Sequence, residues 1–297
     1  MSKAMRCLTS DATVVAVALD ATEMVARAEQ IHHTSAVVTA ALGRLLTAAS
    51  LMGIMLKNTE DSVTLKVNGG GPVGQLITVA DGRGHARGYA QNPVVEIPLK
   101  PNGKLDVSGA VGTDGLLYVL RDTGATEPYV GCIPLVSGEL AEDITSYYAT
   151  SEQVPTVCAL GVLVNPDLTV RAAGGLLIQL LPFCPDEVID RLEQNIAKLR
   201  PMTEMLDEGM SIEDILRCAL DGFDFDVVDS FDPEYRCACS PEKVSGALHA
   251  MSDEELRSLP DENDRVEVTC SFCDRVYHFT GADMERMIAE RQQKKQG

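Results

Sequence analysis

The chain has 297 residues, of which 45% are hydrophobic, and it carries a formal net charge of −19. This length is enough for two domains that each bury a hydrophobic core. So acidic a chain repels nucleic acid and anionic membranes, and both are excluded as partners of the whole protein. No apolar run has the length of a membrane span or the form of a signal peptide. Nine cysteines accompany this lack of an export signal, so we expect reduced thiols in the cytoplasm.

The first quarter of the chain predicts one strand and two helices. A β-branched apolar run at residues 13–19 is typical of a strand. A capping-box pattern that begins at Asp20 predicts the start of a helix. Residues 34–56 are rich in alanine, leucine and methionine. They predict a long buried helix, with Gly43 or Gly53 as the point of a break.

The next segment alternates apolar and polar residues, which predicts strands at 62–67, 75–80 and 85–90. The stretch 69–74 between the first two strands matches the G-x-G-x-x-G pattern of dinucleotide sites. That motif opens a helix, whereas a strand follows here and Pro72 lies inside the loop. We therefore interpret it as a hairpin turn. The sequence also contains no G-x-x-x-x-G-K-[ST] loop, so nothing supports the use of ATP.

Strands and helices continue to alternate up to residue 182. A turn-rich region at 102–115 precedes a predicted strand at 116–120, and a helix is predicted from 137 to 151. A hairpin follows at 157–181. Helices interleaved with hairpins are typical of the α+β class. Residues 1–182 are therefore predicted to form a mixed α+β core domain.

Residues 183–235 have a different composition. An amphipathic helix is expected first, Pro201 ends it, and Ser211 caps one of the short helices that follow. Residues 201–235 contain eleven Asp or Glu and a single basic residue, Arg217. Such a segment repels itself when it is compact. We interpret 183–235 as an acidic helical linker rather than a domain.

Four cysteines near the C-terminus carry the chemistry that the sequence predicts. Cys237 and Cys239 form a C-x-C pair, and Cys270 and Cys273 form a C-x-x-C pair. Two close thiol pairs suit one tetrahedral Zn²⁺ site, which defines a zinc-binding domain at residues 236–297. The spacing leaves open a structural knuckle, a redox or metal-sensing site and a catalytic site. A closed four-sulfur site has no open position for water, which argues against hydrolysis.

Other functions of such cysteines fit less well. A thioredoxin-like motif needs a helix after its first cysteine, whereas residues 274–279 alternate as a strand. A nucleic-acid zinc ribbon needs a basic face, and residues 236–297 hold nine Lys or Arg against twelve Asp or Glu. His249 and His278 are interpreted as surface residues because four sulfurs already complete the site.

The five remaining cysteines lie in apolar or helical settings. They are Cys7, Cys132, Cys158, Cys184 and Cys218. We expect them to be buried as small hydrophobic side chains, since free cysteine is among the residue types most often buried.

Several stretches of the chain are specific enough to indicate a family. They are TAALGRLLTA at 39–48 with LMG at 51–53, EPYVG at 127–131 with LVSGE at 135–139, ATSEQVP at 149–155, AAGG at 172–175 with QLLP at 179–182, and the two cysteine pairs. With these motifs the chain resembles, over nearly its whole length, the thirty-three-kilodalton heat-shock family of bacterial redox-regulated chaperones. The additional cysteines are its one departure from that pattern.

The resemblance implies a chaperone rather than an enzyme, with one zinc per chain held by Cys237, Cys239, Cys270 and Cys273 in the reduced, inactive monomer. Oxidation would then join Cys237 to Cys239 and Cys270 to Cys273, release the zinc, and unfold the zinc domain and the linker. The activated protein would dimerise and hold unfolding client proteins without ATP, against oxidative and heat aggregation in the cytoplasm. The alternative is a constitutive zinc-stabilised binding or adaptor protein whose zinc site is purely structural.

Overall fold

The computed structural model describes residues 2–296, with side chains described as far as residue 292. The chain divides into two compact units, a first unit of residues 1–236 and a second unit of residues 237–297. The strands are β1 (Lys3–Thr9), β2 (Val14–Asp20), β3 (Ser62–Asn68), β4 (Leu76–Asp81), β5 (Ala86–Ala90), β6 (Leu116–Asp122), β7 (Tyr129–Pro134), β8 (Thr156–Val164), β9 (Val170–Leu180), β10 (Phe225–Phe231), β11 (Arg265–Thr269) and β12 (Val276–Thr280). The helices are α1 (Thr22–His32), α2 (Ala36–Ile54), α3 (Val107–Val111), α4 (Ala141–Tyr147), α5 (Asp186–Lys198), α6 (Met202–Asp207), α7 (Ile212–Ala219), α8 (Pro241–Leu248), α9 (Asp253–Ser258) and α10 (Gly281–Gln296), and a π-helix spans Tyr148–Glu152.

The first unit contains two antiparallel five-stranded sheets. The first sheet has the order β10-β1-β2-β9-β8, and the second has the order β5-β4-β3-β6-β7. Strands β3, β4 and β6 each bury every second residue, because successive side chains of a strand point to opposite faces of the sheet. Together with the helices, this arrangement confirms the predicted α+β class.

Helix α2 lies at the centre of the first unit and packs against strands of both sheets. The expectation that no apolar run has the length of a membrane span is wrong for this helix, which within the described residues is the one helix long and apolar enough to cross a bilayer. In the protein, 94% of its apolar window is buried, as in the core helix of a folded domain. The predicted break is wrong, since the helix runs unbroken to Ile54. A Cβ on Gly43 would lie 2.6 Å from Val25 Cγ1, so this glycine lets α1 pack closely against α2.

The acidic linker contains the predicted amphipathic helix, α5, and the two predicted short helices, α6 and α7. Ser211 caps α7 by accepting a hydrogen bond from the Asp214 N–H. The structure adds a strand to this segment. β10 pairs antiparallel with β1 and forms one edge of the first sheet. The linker is therefore part of the first compact unit.

Local patterns gave incomplete predictions in four places. The turn-rich region predicted at 102–115 contains α3, and no element was predicted where β1 and β7 form. Asp20 does not form the predicted capping box, because its carboxylate accepts from the Thr22 N–H at 3.0 Å and α1 has no side-chain cap.

The glycine-rich stretch at 69–74 is the predicted turn between two strands. A Cβ on Gly69 would lie 2.2 Å from the carbonyl oxygen of Gly112, so close backbone packing explains this glycine.

The second unit is a small domain built around the β11–β12 hairpin and helices α8, α9 and α10. Among the residues whose side chains are described, its hydrophobic core consists of six buried ones: Leu248, Leu256, Val266, Met284, Met287 and Ile288. Ser252 and Glu255 form a capping box at the start of α9. The Thr280 hydroxyl accepts a hydrogen bond from the Asp283 N–H at the start of α10.

Candidate metal centre

The C-x-C pair lies immediately before α8. Ser240 ends this short loop and caps the helix by accepting from the Lys243 N–H at 3.3 Å. Pro241 occupies the first turn, where its fixed φ suits a helix and its missing N–H leaves no bond unmade. The cap fixes where the helix begins and so holds Cys237 and Cys239 in the extended chain just before it.

The C-x-x-C pair lies in the turn between β11 and β12. The carbonyl of Cys270 accepts from the N–H groups of Cys273, at 3.2 Å, and of Asp274, at 2.9 Å. The N–H of Cys270 donates to the carbonyl of Arg275 at 3.0 Å. Asp274 adopts φ 56°, a left-handed conformation that aspartate tolerates better than most residues. This tight turn brings both sulfurs to the same side of the hairpin.

The four sulfurs converge on one point. All lie within 4.8 Å of one another. Cys237 Sγ is 3.7 Å from Cys270 Sγ, and Cys239 Sγ is 3.4 Å from Cys273 Sγ. Four thiolates bound tetrahedrally to zinc at about 2.3 Å would be about 3.8 Å apart. The donor set and its spacing therefore fit a four-cysteine zinc site.

The thiols of this cluster differ in acidity. Burial raises the pKa of Cys237 to about 12 and also raises that of Cys273. Burial acts on Cys239 as well, but hydrogen bonds from Tyr277 and the neighbouring thiols outweigh it and lower its pKa to about 7. A metal cation stabilises thiolates at neutral pH where their own surroundings do not. The cluster is thus suited to hold a cation and poorly suited to remain fully ionised without one.

Tyr277 is the residue of this site that the sequence did not reveal. Its hydroxyl donates to Cys239 Sγ at 3.0 Å from strand β12. This hydrogen bond is the main cause that raises the pKa of Tyr277 itself. The sequence offers one signal for this residue, which is its position four residues after Cys273 in a strand of alternating residues. In the structure Tyr277 lies on the same side of the hairpin as buried Val266.

Neither histidine of the second unit belongs to the cluster. His249 Nε2 lies 3.7 Å from a carboxylate oxygen of Glu290, and His278 Nδ1 lies 3.4 Å from one of Glu267. In the part of the chain that the structure describes, the four cysteines alone form a group with the geometry for a metal ion.

The other five cysteines are not uniformly buried, so that expectation is wrong for most of them. Cys7 is fully buried, whereas Cys132 and Cys218 are exposed and Cys158 and Cys184 are intermediate. Cys132 lies on the edge strand β7, and Cys218 lies on the side of α7 that does not pack against the sheet. At both positions apolar residues lie nearby in the sequence, but they do not cover the cysteine side chain.

A second hydrophobic cluster joins the linker to the first sheet. Its sheet side consists of Cys7, Val14, Ala16, Ala18, Leu176 and Ile178. Its linker side consists of Leu192, Met202, Met205, Ile212, Ile215, Leu216, Ala219 and Leu220. Arg171 of β9 also forms a two-point ion pair with Asp207 at 2.6 and 2.7 Å. The linker helices therefore cover an apolar face of the core sheet.

The end of the linker is attached to the second sheet directly before Cys237. The Ala86 N–H donates to the carbonyl of Glu234 at 3.0 Å, and the Arg236 N–H donates to the carbonyl of Ala86 at 2.8 Å. The hydroxyl of Tyr235 donates to the Gly88 carbonyl at 2.8 Å. The residues that lead into the C-x-C pair are thus held by strand β5.

Comparisons with known proteins agree on one family. A family model described as "Hsp33 protein" matches residues 2–280. A "33 kDa chaperonin" of Agathobacter rectalis is 44% identical over 283 residues, which cover 95% of this chain and 98% of the relative. Another "33 kDa chaperonin", from Clostridioides difficile, is 46% identical over 266 residues, covering 90% of this chain and 91% of the relative. The crystal structure of the Thermotoga maritima 33 kDa chaperonin, a heat shock protein 33 homologue, matches with a TM-score of 0.88 at 31% identity, over 98% of this chain and 99% of that one.

Proposed function

Because the chain belongs to the Hsp33 family, we propose that it is a redox-regulated, ATP-independent chaperone of the cytoplasm that holds unfolding proteins. The observation that carries this proposal is the convergence of four thiols within 4.8 Å in a small domain that follows, along the chain, a linker that covers an apolar sheet. A family chaperone with such a cluster has both a redox-sensitive group and a surface to expose.

Cys237, Cys239, Cys270 and Cys273 are the residues that would hold one zinc ion in the reduced protein. Bound zinc would stabilise all four sulfurs as thiolates and tie the C-x-C loop to the β11–β12 turn. Structural zinc contributes about 10–16 kcal/mol in small domains. The second unit has a core of only six buried apolar residues among the described ones, so its fold should depend on this contribution.

Oxidation would convert the thiolates to disulfides within each pair, Cys237 to Cys239 and Cys270 to Cys273. Each disulfide takes two electrons from two thiolates, and one molecule of hydrogen peroxide accepts them and becomes two hydroxide ions. Oxidised sulfurs no longer hold the metal. A C-x-C disulfide closes a very small ring, so it should be readily reduced again by a dithiol.

The linker would transmit this change to the core. Its helices α6 and α7 have six and eight residues, and isolated helices shorter than about 12–15 residues are marginal in water. Their order depends on packing against the first sheet and on attachment of the chain end at β5. When the second unit unfolds, we expect the linker to loosen and to expose the apolar residues on both sides of the second cluster.

The exposed apolar surface would bind unfolding proteins, and it would also favour association of two activated chains. The reduced protein is proposed to be a monomer and the activated protein a homodimer. No catalytic residue is assigned, because holding a client requires no bond to be broken. Unfolded proteins are the proposed partners, with neither nucleic acid nor membrane among them.

Aggregation of a thermally unfolding client, followed by light scattering, tests the proposal. The peroxide-treated protein should suppress aggregation, the reduced protein should not, and ATP should make no difference. Dithiothreitol should reverse the thiol oxidation. A protein that releases zinc on oxidation without gaining this activity would contradict the proposal, and equal activity in both states would favour a constitutive binding protein.

A further inference from the structure

One sulfur of the metal centre accepts a hydrogen bond from a side chain outside the four cysteines. The Tyr277 hydroxyl, on β12, donates to Cys239 Sγ at 3.0 Å. Cys237 and Cys273 accept from backbone N–H groups, those of Cys239 and Arg275. A backbone donor is present whatever side chain stands at its position, whereas the side-chain donor to Cys239 exists because residue 277 is a tyrosine. Cys239 is therefore a sulfur whose reactivity depends on a particular side chain.

The fold of the second unit fixes the position of the Tyr277 hydroxyl. Tyr277 pairs with Val268 across the β11–β12 hairpin, and 8% of the tyrosine is exposed. A buried phenol usually finds a hydrogen-bond partner, and here the partner lies 38 residues earlier in the chain. The hydrogen bond holds the Cys239 side chain against the hairpin, where Cys239 Sγ is 3.4 Å from Cys273 Sγ.

A positive charge lies close to the same group. Arg275 is exposed, and its charge interacts with Tyr277, Cys239 and Cys273. A cation beside a phenol makes the phenol a stronger donor, because neighbouring polar groups polarise one another. Arg275 and Tyr277 therefore act together on Cys239.

A hydrogen bond to a thiolate slows its oxidation by peroxide. In that reaction the thiolate attacks one peroxide oxygen, the O–O bond breaks, hydroxide leaves and the sulfur becomes a sulfenic acid. The neighbouring thiolate then displaces a second hydroxide and closes the disulfide. A hydrogen bond to the anionic sulfur stabilises its charge, and a less basic sulfur is a weaker nucleophile. The hydrogen bond thus stabilises the reduced thiolate more than the transition state of its oxidation.

We propose that Tyr277 is a positioning residue that sets how readily the metal centre is oxidised, and that Arg275 supports it. The Tyr277 hydroxyl slows attack of Cys239 on peroxide and strengthens retention of the metal, as hydrogen bonds to metal ligands do. This inference rests on the proposed redox-regulated function and deepens it, since it assigns the residue that determines how much peroxide the switch requires.

Zinc release from the reduced, zinc-loaded protein after addition of peroxide, followed with a chromophoric chelator, tests this inference. Tyr277→Phe removes the hydroxyl and keeps the ring, and it should release zinc about three- to tenfold faster than the wild type. Tyr118→Phe makes the same change on β6 of the first unit and should release zinc at the wild-type rate. Release measured without peroxide gives the background for each variant.

A second variant keeps the test valid if Tyr277→Phe fails to fold. Arg275→Gln changes an exposed position and should release zinc about twofold faster, a gain that should shrink in about 1 M salt because salt screens exposed charges. Arg265→Gln makes the same change at the far end of the hairpin, opposite Thr280, and should have no effect. Equal rates for the two arginine variants would overturn the role assigned to Arg275 and Tyr277.

A spectrum distinguishes the hydrogen bond from a merely structural role of the tyrosine. With Co²⁺ as the probe in place of zinc, the sulfur-to-cobalt charge-transfer band of Tyr277→Phe should lie at longer wavelength than in the wild type. A thiolate without its donor gives up an electron more easily. A structural role would weaken the band without shifting it. An unshifted band, or a wild-type rate of zinc release in a folded Tyr277→Phe, contradicts the inference.

Aggregation assays on the same samples separate this inference from the proposed function. If the oxidised wild type suppresses aggregation while Tyr277→Phe releases zinc at the wild-type rate, the role of Tyr277 alone is contradicted. If Tyr277→Phe releases zinc faster but no oxidised sample suppresses aggregation, the chaperone function is contradicted and the role of Tyr277 is supported.

Discussion

At the scale of single residues, burial separates the thiols that can react from those that cannot. Cys7 is fully buried beneath the linker, and burial raises its pKa to about 11. Cys132 and Cys218 are exposed. In reduced, zinc-loaded protein at pH 8, iodoacetamide should therefore modify Cys132 and Cys218 but leave Cys7 unmodified, since only thiolate is a good nucleophile. Peptide mass spectrometry measures each site, and modification of Cys7 at the rate of Cys218 would contradict the burial described.

Asp143 is a residue whose role is structural. Its buried carboxylate accepts from the N–H groups of Val136 at 2.7 Å, Ser137 at 3.1 Å and Leu140 at 2.9 Å. Asp143→Ala would leave these groups without a partner, and each unsatisfied buried group costs about 1–3 kcal/mol. We expect urea denaturation to show a loss of at least about 2 kcal/mol. Glu142→Ala, at the adjacent exposed position, should have little effect, and equal losses for both would refute the assigned role.

Individual residues were predictable where their spacing carries chemistry. The C-x-C and C-x-x-C pairs indicated a four-sulfur cluster, and the four sulfurs do converge. Tyr277 was not predicted, because its contact with Cys239 joins residues 38 positions apart and depends on how the hairpin folds back. The exposure of Cys132 and Cys218 was also missed, since hydrophobic neighbours along the chain say little about which side of an edge strand or helix faces solvent.

At the scale of elements, local periodicity predicted the hairpins of the second sheet and the linker helices. It missed β1 and β10, which pair with each other across more than 200 residues of sequence. β10 lies in an acidic stretch whose composition is typical of a loop, and its strand forms because β1 offers an edge. α3 was missed because five residues are too few to show a helical period.

The packing of α7 against the first sheet leads to a prediction about the linker. Leu216 is fully buried in the second cluster, and Leu→Ala changes at buried sites typically cost about 2–5 kcal/mol. Leu216→Ala should increase amide hydrogen exchange in α5–α7 of the reduced protein and give it partial holdase activity without oxidant. Cys218→Ser changes an exposed position of the same helix and should do neither. Unchanged exchange in Leu216→Ala would show that the linker does not depend on this contact.

At the scale of the whole molecule, the proposed function depends on coupling between a metal centre in the second unit and a hydrophobic cluster in the first. The physical link is the chain itself, since residues 234–236 are hydrogen-bonded to β5 and Cys237 follows at once. Eleven acidic residues in 201–235 repel one another, so the linker stays ordered only while its apolar residues remain packed. The resemblance to a family indicated this arrangement from the sequence, whereas composition alone suggested only an acidic segment between two folded parts.

Hydrogen exchange with mass spectrometry on Cys270→Ser, without any oxidant, tests this coupling most directly. The variant lacks one of the four ligands, so we expect it to lose tight zinc binding. Exchange should then rise in the second unit and also in the linker, residues 183–235, while the buried helix α2 remains protected as in the reduced wild type. A variant that has lost its zinc but keeps the linker as protected as in the wild type would contradict the account.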